Sequence, residues 1–368
     1  MGTEKVEDPT LRPFDKLRVL SGVEAQARGG DSSTTLTVPE QGRRERSRTT
    51  RGGAENPREA GEVKTFQPSY LRLHQNGELI KRIEALSEKL ESCEVCPHKC
   101  SVNRLKDEKG ICKTGNKAKV SSFGPHFGEE SPLVGRHGSG TIFFTHCNLY
   151  CIFCQNYDIS HLGEGYLVDE ERIAEIMLSL QNMGCHNINF VTPTHVIPQI
   201  VKALPIAVEN GLSIPLVYNS GGYDSVLTLK LLDGIFDIYM PDFKYSDDKI
   251  AQRYCNAPDY SQVAKQAVKM MHRQVGDLIL DEKGIARRGL IIRHLVLPED
   301  LAGTYEAMRF ITKEISKNSY VNLMDQYRPC YKAKDFPPLD RRITREEFVQ
   351  AIKIAHDLGI KRLDGLEY

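Results

Sequence analysis

Apolar residues along the second half of the chain follow two alternating spacings. Short apolar runs, typical of buried strands, are followed by stretches in which apolar residues recur every three or four positions, as in amphipathic helices. The predicted strands are 141–145, 187–191, 215–218, 236–240, 290–297 and 320–324. The predicted helices are 169–183, 196–209, 225–232, a helical stretch within 247–275, 304–315 and 345–358, the last leading into 361–366.

This alternation predicts an α/β fold. Six strands separated by helices require parallel pairing with right-handed crossovers. Six βα units are too few to close an eight-stranded barrel, so we expect a partial, open-sided sheet. Ligands of such sheets lie at the carboxyl ends of the strands, and the residues that follow each strand are therefore the candidates for a functional site.

The N-terminal part of the chain has a different pattern. Residues 1–62 are rich in Gly, Ser, Thr, Arg and Glu and cannot bury enough apolar surface to offset their ordering entropy, so we predict a disordered extension. Apolar residues at helical spacing predict one or two helices within 67–91. The expected organisation is thus the extension 1–62, a helical and cysteine-rich metal-binding segment 63–125, and an α/β domain 126–368.

Charge and composition exclude several classes of function. Of the 368 residues, 49 are Lys or Arg and 49 are Asp or Glu, so no global field attracts nucleic acid or an anionic membrane. Neither a long uncharged apolar run nor a secretory pattern occurs, and we predict a cytoplasmic protein. The sequence contains no phosphate loop, no G-x-S-x-G and no H-E-x-x-H, so ordinary hydrolysis is not indicated.

Seven of the ten cysteines fall into two groups, which in a reducing compartment favours metal ligation over disulfides. The first group is Cys93, Cys96, Cys100 and Cys112. Its segment has almost no apolar core, so a metal would have to supply the folding free energy. Ligation by four cysteines suits zinc or an iron–sulfur cluster, and both remain open. The scattered Cys185, Cys255 and Cys330 are predicted to be structural.

The second group, Cys147, Cys151 and Cys154, follows the first predicted strand with the spacing C-x3-C-x2-C. Three thiolates can ligate three irons of a cubane cluster and leave the fourth iron open to a small molecule. The alternative, inert buried thiols or a zinc site, is disfavoured by this spacing in a loop after a strand.

The triplet, with Phe153 just before the third cysteine, resembles the signature of the radical S-adenosylmethionine (SAM) superfamily. The Gln155-Asn156 tail and the Asp242-x-Lys244 and Arg293-x-x-Val296 stretches are similar to the pyruvate formate-lyase activating enzyme group. The short sequence motifs Cys-Pro-His-Lys-Cys, His-Phe-Gly-Glu-Glu and Thr-Pro-Thr-His-Val resemble those of an uncharacterised branch of that group.

The resemblance implies a partial (β/α)6 TIM-like barrel, a 4Fe-4S cluster on the triplet, and SAM as the second cofactor. The reduced cluster would donate an electron to the sulfonium, and a 5′-deoxyadenosyl radical would abstract a hydrogen atom from a partner. That partner would be a glycyl-radical protein, and the electron donor a flavodoxin or ferredoxin.

The resemblance also implies cofactor contacts at Phe153, Thr192, Thr194, Asn219, Asp242, Lys244 and Arg293. The family usually has Gly-Gly-Glu where this chain has Thr192-Pro-Thr194, so only the position is carried over there. Independently, charges beside buried apolar strands are costly unless they are matched, which favours a function for Asp242, Lys244 and Arg293. A purely structural ion pair is the alternative. Strand alternation sends Arg293 and His294 to opposite faces.

Two other functions remain open. A radical enzyme that acts on a small molecule or a peptide side chain would want a lid, and residues 246–288 are long enough to form one. A non-catalytic iron–sulfur or zinc protein would need neither an open iron nor the three charged residues.

Overall fold

The computed structural model describes residues 66–365. The predicted disordered extension, 1–62, lies outside the described residues.

A central sheet carries the fold. Strands β2 (Ser139–Phe144), β4 (Ile188–Val191), β5 (Leu216–Ser220), β6 (Ile238–Pro241), β8 (Ala286–Leu295) and β9 (Tyr320–Met324) pair in parallel in the order in which they occur along the chain. They coincide with the six predicted strands, so the prediction of an α/β fold around a parallel sheet is confirmed, and the strand order is consistent with a partial barrel. The strands are β1 (Ala118–His126), β2 (Ser139–Phe144), β3 (Tyr166–Val168), β4 (Ile188–Val191), β5 (Leu216–Ser220), β6 (Ile238–Pro241), β7 (Ile279–Leu280), β8 (Ala286–Leu295), β9 (Tyr320–Met324) and β10 (Arg362–Leu363).

Helices connect these strands, as the apolar spacing predicts. The α-helices are α1 (Ser69–Gln75), α2 (Glu78–Glu88), α3 (Ser131–Val134), α4 (Tyr157–Ser160), α5 (Glu170–Asn182), α6 (Ile197–Glu209), α7 (Val226–Leu231), α8 (Asp248–Cys255), α9 (Tyr260–Val275), α10 (Thr304–Phe310) and α11 (Arg345–Asp357). Side-chain caps define several starts: Asp169 accepts the Arg172 amide before α5, and Thr344 forms a capping box with Glu347 before α11. Between residues 66 and 365, no helix is both long and apolar enough to cross a membrane.

The edges of the sheet were not predicted. β1 pairs antiparallel with β2, and β3 pairs antiparallel with β1, while the two-residue β10 extends the opposite edge. β1 contains Gly124 and Pro125 and is mostly half-buried, so it lacks both the apolar run and the strict alternation on which strand prediction rests.

A short segment that precedes β2 in the chain packs into the interior of the sheet. We call residues 129–134, which include α3, the interior plug. Leu133 is fully buried in an apolar cluster with inward-facing residues such as Val217, Ile238 and Ile291. The Leu133 carbonyl accepts a hydrogen bond from Asn187 Nδ2 at 2.9 Å, beside β4, and the Ser131 amide donates to Asp364 Oδ1 at 3.2 Å, beside β10. The plug therefore joins the two sides of the sheet.

Residues 246–288 do not form a lid, contrary to the suggestion from sequence. α9 is a 16-residue amphipathic helix whose buried face, including Ala264, Val268 and Met271, packs against β6, β8 and α7. It is the crossover helix between neighbouring parallel strands and belongs to the outer helical layer. α8, just before it, supplies the Tyr254 carbonyl to the Ile152 amide at 2.9 Å and so supports the loop that follows β2.

Candidate functional site

A cavity opens at the carboxyl ends of the parallel strands. It is lined by all three cysteines of the loop after β2 and by polar residues that follow or end β4, β5, β6 and β8. Its lining includes the predicted site residues Cys147, Cys151, Cys154, Thr192, Asn219, Asp242, Lys244 and Arg293. Residues spread over nearly 150 positions of sequence thus meet because parallel strands present their carboxyl ends at one edge.

The loop after β2 turns its sulfur atoms toward hydrogen-bond donors. Cys147 Sγ accepts the Leu149 amide at 3.3 Å, and Cys154 Sγ accepts the Ser160 hydroxyl at 3.1 Å. Burial raises the pKa of Cys147 to about 12 and also raises that of Cys154, whereas these donors and the nearby Lys244 ammonium act in the opposite direction. The loop therefore offers one buried and two half-buried thiols with donors in place to stabilise thiolates, which is the form that ligates iron.

A fourth cysteine touches this loop. Cys255, buried at the end of α8, shares a hydrogen bond with Cys151 that lowers the pKa of Cys151 and raises that of Cys255. The sequence offers no sign of this contact, because it depends on how α8 packs beneath the loop.

Asp242 is the centre of a buried ion cluster. Its Oδ2 lies 2.5 Å from Lys244 Nζ and its Oδ1 lies 2.7 Å from Arg293 Nε. Arg293 Nη2 also donates to Asn219 Oδ1 at 2.7 Å. Burial by itself raises the pKa of Asp242, but the two cations outweigh it and hold the pKa below its ordinary value. Asp242 in turn raises the pKa of Lys244 and of Arg293 against their burial, so all three are ionised at neutral pH.

Two glutamates that the sequence analysis did not assign to the site complete this cluster. Glu129 Oε2 and Glu130 Oε1 each lie 3.9 Å from an Arg293 nitrogen, and Glu130 Oε1 also accepts Asn322 Nδ2 at 2.9 Å. Burial raises the pKa of Glu130, while Arg293 partly offsets this. Glu129 lies 3.1 Å from His126 Nδ1 and raises the pKa of that imidazole. Both glutamates lie in the interior plug and not after a predicted strand. The expectation that ligands lie at the carboxyl ends of the strands therefore did not identify them.

Two predicted cofactor contacts do not line the cavity. The ring of Phe153 packs edge-on against Tyr245 and Tyr327 in the apolar core. The Thr194 hydroxyl donates to Asp224 Oδ1 at 2.7 Å. At this strand end the cavity is lined by Thr192 and not by Thr194.

His195, which follows β4, and His294, within β8, also lie away from the cavity. His195 Nε2 donates to the Thr145 carbonyl at 2.9 Å, and burial lowers its pKa to about 3, so the imidazole is neutral. His294 contacts the Phe243 carbonyl and the Thr304 hydroxyl on the face opposite Arg293, as the alternation predicts.

The first cysteine group forms a compact loop region directly beside the triplet. Cys93, Cys96 and Cys112 are buried and Cys100 is half-buried. The hydroxyl of Tyr150, between Cys147 and Cys151, donates to the Ile111 carbonyl, and His98 Nε2 donates to the Asn148 carbonyl at 2.7 Å. Hydrogen bonds therefore connect the two cysteine groups.

The distances between candidate ligand side chains indicate whether a single metal ion or a cluster would fit. In the part of the chain that the structure describes, no three His, Cys, Asp or Glu side chains converge closely enough to hold one metal ion. The thiolates of a cubane cluster bind different irons and need not converge in that way.

Comparison with known proteins finds a family model, a relative by sequence and similar solved structures. The model of the radical SAM superfamily matches residues 141–280. The chain is 35% identical over 289 residues to the uncharacterized protein MJ0674 of Methanocaldococcus jannaschii, and the match covers 76% of this chain and 78% of that protein. Among solved structures, HydG, a maturase of the FeFe-hydrogenase, matches with a TM-score of 0.41 and 12% identity. That match covers 79% of this chain and 64% of HydG, slightly less than two thirds of its length.

Proposed function

This chain belongs to the radical SAM superfamily, and we propose that it is an enzyme that binds a 4Fe-4S cluster and SAM in the cavity at the strand ends. The observation that carries the proposal is the meeting of Cys147, Cys151 and Cys154 with the Asp242–Lys244–Arg293 cluster in one cavity. A protein that only stored metal would have no need for this buried set of charges beside its cysteines.

The residues present fit the cluster. The three cysteines of the triplet would ligate it, and the Leu149 amide, the Ser160 hydroxyl and Lys244 favour their thiolate forms. When bound, such a cluster supplies one electron to the sulfonium of SAM, and the 5′-deoxyadenosyl radical formed by its cleavage abstracts a hydrogen atom from the substrate.

The charged residues fit SAM, which carries a carboxylate, an ammonium group and ribose hydroxyls. Lys244 and Arg293 suit the carboxylate, whereas Asp242 suits the ammonium group or the hydroxyls. Asn219 and the backbone at Thr192 offer further polar contacts. Apolar lining from Phe144, Leu149, Ile159 and Val191 would exclude water from the reacting atoms.

For the substrate we propose the backbone of a glycyl-radical protein, as in the pyruvate formate-lyase activating enzyme group. The packing of residues 246–288 supports a macromolecular substrate, because α9 lies in the outer helical layer and no residue of this segment lines the cavity. Anaerobic capture of partners with the reconstituted enzyme tests this choice. Turnover of a small molecule or of a short peptide in the absence of a folded partner would favour the rival substrate class.

For the electron donor we propose an acidic one-electron carrier such as flavodoxin or ferredoxin. A second surface cavity of about 460 Å³ supports this proposal, since it is lined by Lys109, Lys113, Lys117 and Lys119 against the single acid Asp107. His146 lines both this cavity and the one that holds the triplet. An acidic donor seated on the lysines would therefore lie next to the cluster loop. We further propose that the first cysteine group holds a second iron–sulfur cluster or zinc.

The decisive experiment is anaerobic reconstitution with iron and sulfide, followed by electron paramagnetic resonance of the reduced protein with and without SAM. We expect SAM to perturb the spectrum and dithionite to yield 5′-deoxyadenosine in the wild-type protein but not in Cys151→Ala. Cys185→Ala removes a buried cysteine remote from the cavity and serves as the control that keeps both signals. A SAM-responsive cluster in Cys151→Ala would contradict the assignment.

A further inference from the structure

The His-Phe-Gly-Glu-Glu motif, residues 126–130, links the protein surface to the cavity through Glu129. The Glu129 side chain is 7% exposed, and its Oε1 lies 3.1 Å from His126 Nδ1. Its Oε2 accepts Asn219 Nδ2 at 3.5 Å and lies 3.9 Å from Arg293 Nη1. Asn219 and Arg293 line the cavity at the strand ends, whereas His126 and Glu129 do not. A buried carboxylate therefore lies between a partly exposed imidazole and two residues of the proposed SAM site.

The amide of Asn219 is held from both of its ends. Its Nδ2 donates to Glu129, and its Oδ1 accepts Arg293 Nη2 at 2.7 Å. An amide turned the other way would present its nitrogen to the arginine and its oxygen to the carboxylate, and both hydrogen bonds would be lost. Glu129 thus acts on Arg293 in two ways, through this amide and through its own charge.

The charges around Arg293 leave room for one more cation. Among the described residues, Asp242, Glu129 and Glu130 act on Arg293, and Lys244 pairs with Asp242, so three acids face two cations when all five are ionised. An uncompensated acid beside a buried arginine weakens the attraction of that arginine for an anionic ligand. Burial raises the pKa of Glu130, so this carboxylate takes up a proton more readily than an exposed one. The charge that Arg293 offers to a ligand therefore depends on the protonation of its neighbours.

His126 is placed to act as the additional cation. It is the last residue of β1, and the turn at residues 127 and 128 brings Glu129 back beside it. The imidazole packs edge-on against Phe143, and a Cβ at Gly128 would lie 3.2 Å from its Cε1. The turn thus holds the ring in place, while the side chain stays 42% exposed and can exchange its proton with solvent. Glu129 raises the pKa of His126 above that of an ordinary histidine.

We propose that His126 is a positioning residue for SAM, which acts through Glu129 on Arg293. Protonated His126 compensates the charge of Glu129, and Arg293 is then available for the carboxylate of SAM. Loss of the His126 proton leaves an uncompensated carboxylate beside Arg293, so the affinity for SAM should fall as the pH rises through the pKa of His126. This inference rests on the proposed function, because it requires SAM to bind in the cavity.

The first test measures His126 itself. Binding and protonation are reciprocal, so SAM must raise the pKa of His126 if protonation of His126 favours SAM. Histidine NMR of the anaerobically reconstituted full chain, with its cluster oxidised, gives this pKa with and without SAM, and His126→Gln identifies the resonance. We expect SAM to raise the pKa in wild type, and we expect Glu129→Gln to have a lower His126 pKa that SAM moves much less. The same His126 pKa in wild type and Glu129→Gln without SAM would overturn the pairing of the two residues.

The second test measures the affinity for SAM against pH without dithionite, so that no turnover occurs. We expect His126→Gln to bind SAM about threefold more weakly than wild type below the pKa of His126 and equally well above it. His137→Gln, at an exposed histidine before β2, is the control and should follow wild type at every pH. The ammonium group of SAM and Glu130 titrate in all three proteins, so the difference between the profiles isolates His126. A loss that is the same at every pH, no loss at any pH, or a gain below the pKa would overturn the inference.

A combined variant separates an action through Glu129 from a direct one. Glu129→Gln removes the charge and keeps the length of the side chain, so adding His126→Gln should weaken SAM binding no further. A further loss in the double variant would overturn the role of Glu129. If Glu129→Gln does not fold, the profile of His126→Gln against wild type still decides the inference. Failure of the wild-type protein to bind SAM at any pH would instead contradict the proposed function, and the NMR comparison without SAM would still decide the pairing.

Discussion

Replacing Asp242 by Asn should destabilise the protein even when no SAM is bound. Asp242 already pairs with Lys244 and Arg293 at 2.5 and 2.7 Å, and its side chain is only 10% exposed. The change leaves two buried cations facing each other. Breaking a buried pair costs about 3–5 kcal/mol, and we take the lower end because Glu129 and Glu130 stay 3.9 Å from Arg293.

A loss of about 3 kcal/mol should lower the melting temperature by about 6–12 °C for a domain of this size. The pKa of Asp242 is held below its ordinary value, so this contribution is fully present at pH 7 and is lost only when the pH falls through that lowered pKa. The measurement is anaerobic thermal unfolding followed by circular dichroism, with iron content determined for each sample so that cluster loss is not mistaken for destabilisation.

The same variant should also bind SAM more weakly, because Lys244 and Arg293 would no longer be held in place. Asp335→Asn, which changes an exposed acid at the end of the short 3-10 helix Ala333–Asp335, is the control and should melt within about 2 °C of wild type. An unchanged melting temperature for Asp242→Asn without SAM would refute the view that the ion cluster is preformed.

Two further changes test the fold around the site. Burial raises the pKa of Asp237 to about 6 from an ordinary 3.8. The free energy of unfolding should therefore fall on the order of 3 kcal/mol as the pH rises from about 4 to 6, because the folded protein holds this proton more tightly than the unfolded chain. Asp237→Asn should remove this pH dependence, as measured by anaerobic thermal unfolding at several pH values. Leu133→Ala in the interior plug should lower the free energy of unfolding by about 3 kcal/mol and the melting temperature by about 6 °C or more. Leu227→Ala, at a 55% exposed position, is the control and should not lower them in this way. Equal shifts in melting temperature for the two variants would contradict a packed interior.

The parallel sheet could be predicted from the sequence because each of its strands is an apolar run followed by a helical pattern. The family resemblance implied cofactor contacts at Asn219, Asp242 and Arg293, and the rule that ligands lie at strand ends put these residues at one edge of the sheet, where the structure places them together. The positions that were not foreseen depend on packing between distant segments. Cys255 reaches Cys151 only through the seating of α8 under the loop.

After β4, the sequence could not predict which of two neighbouring threonines lines the cavity, because the local backbone decides it. Thr192 and Thr194 are two positions apart, yet the first lines the cavity and the second bonds Asp224. Alternation in a regular strand would have placed both on one face, but β4 ends at Val191, so the period of two no longer applies there. The lid suggestion failed for a related reason, since the length of a segment does not distinguish a covering loop from a crossover helix.

The interior plug also bears on the order in which the protein is completed during synthesis. Glu130 bonds Asn322, 192 positions later, and Ser131 bonds Asp364, 233 positions later. A ribosome that adds about 5–20 residues per second needs roughly 10–40 s to translate the first of these intervals. Glu129 and Glu130, which lie 3.9 Å from Arg293, are therefore among the first residues of the α/β domain to leave the ribosome and among the last to be fixed in position.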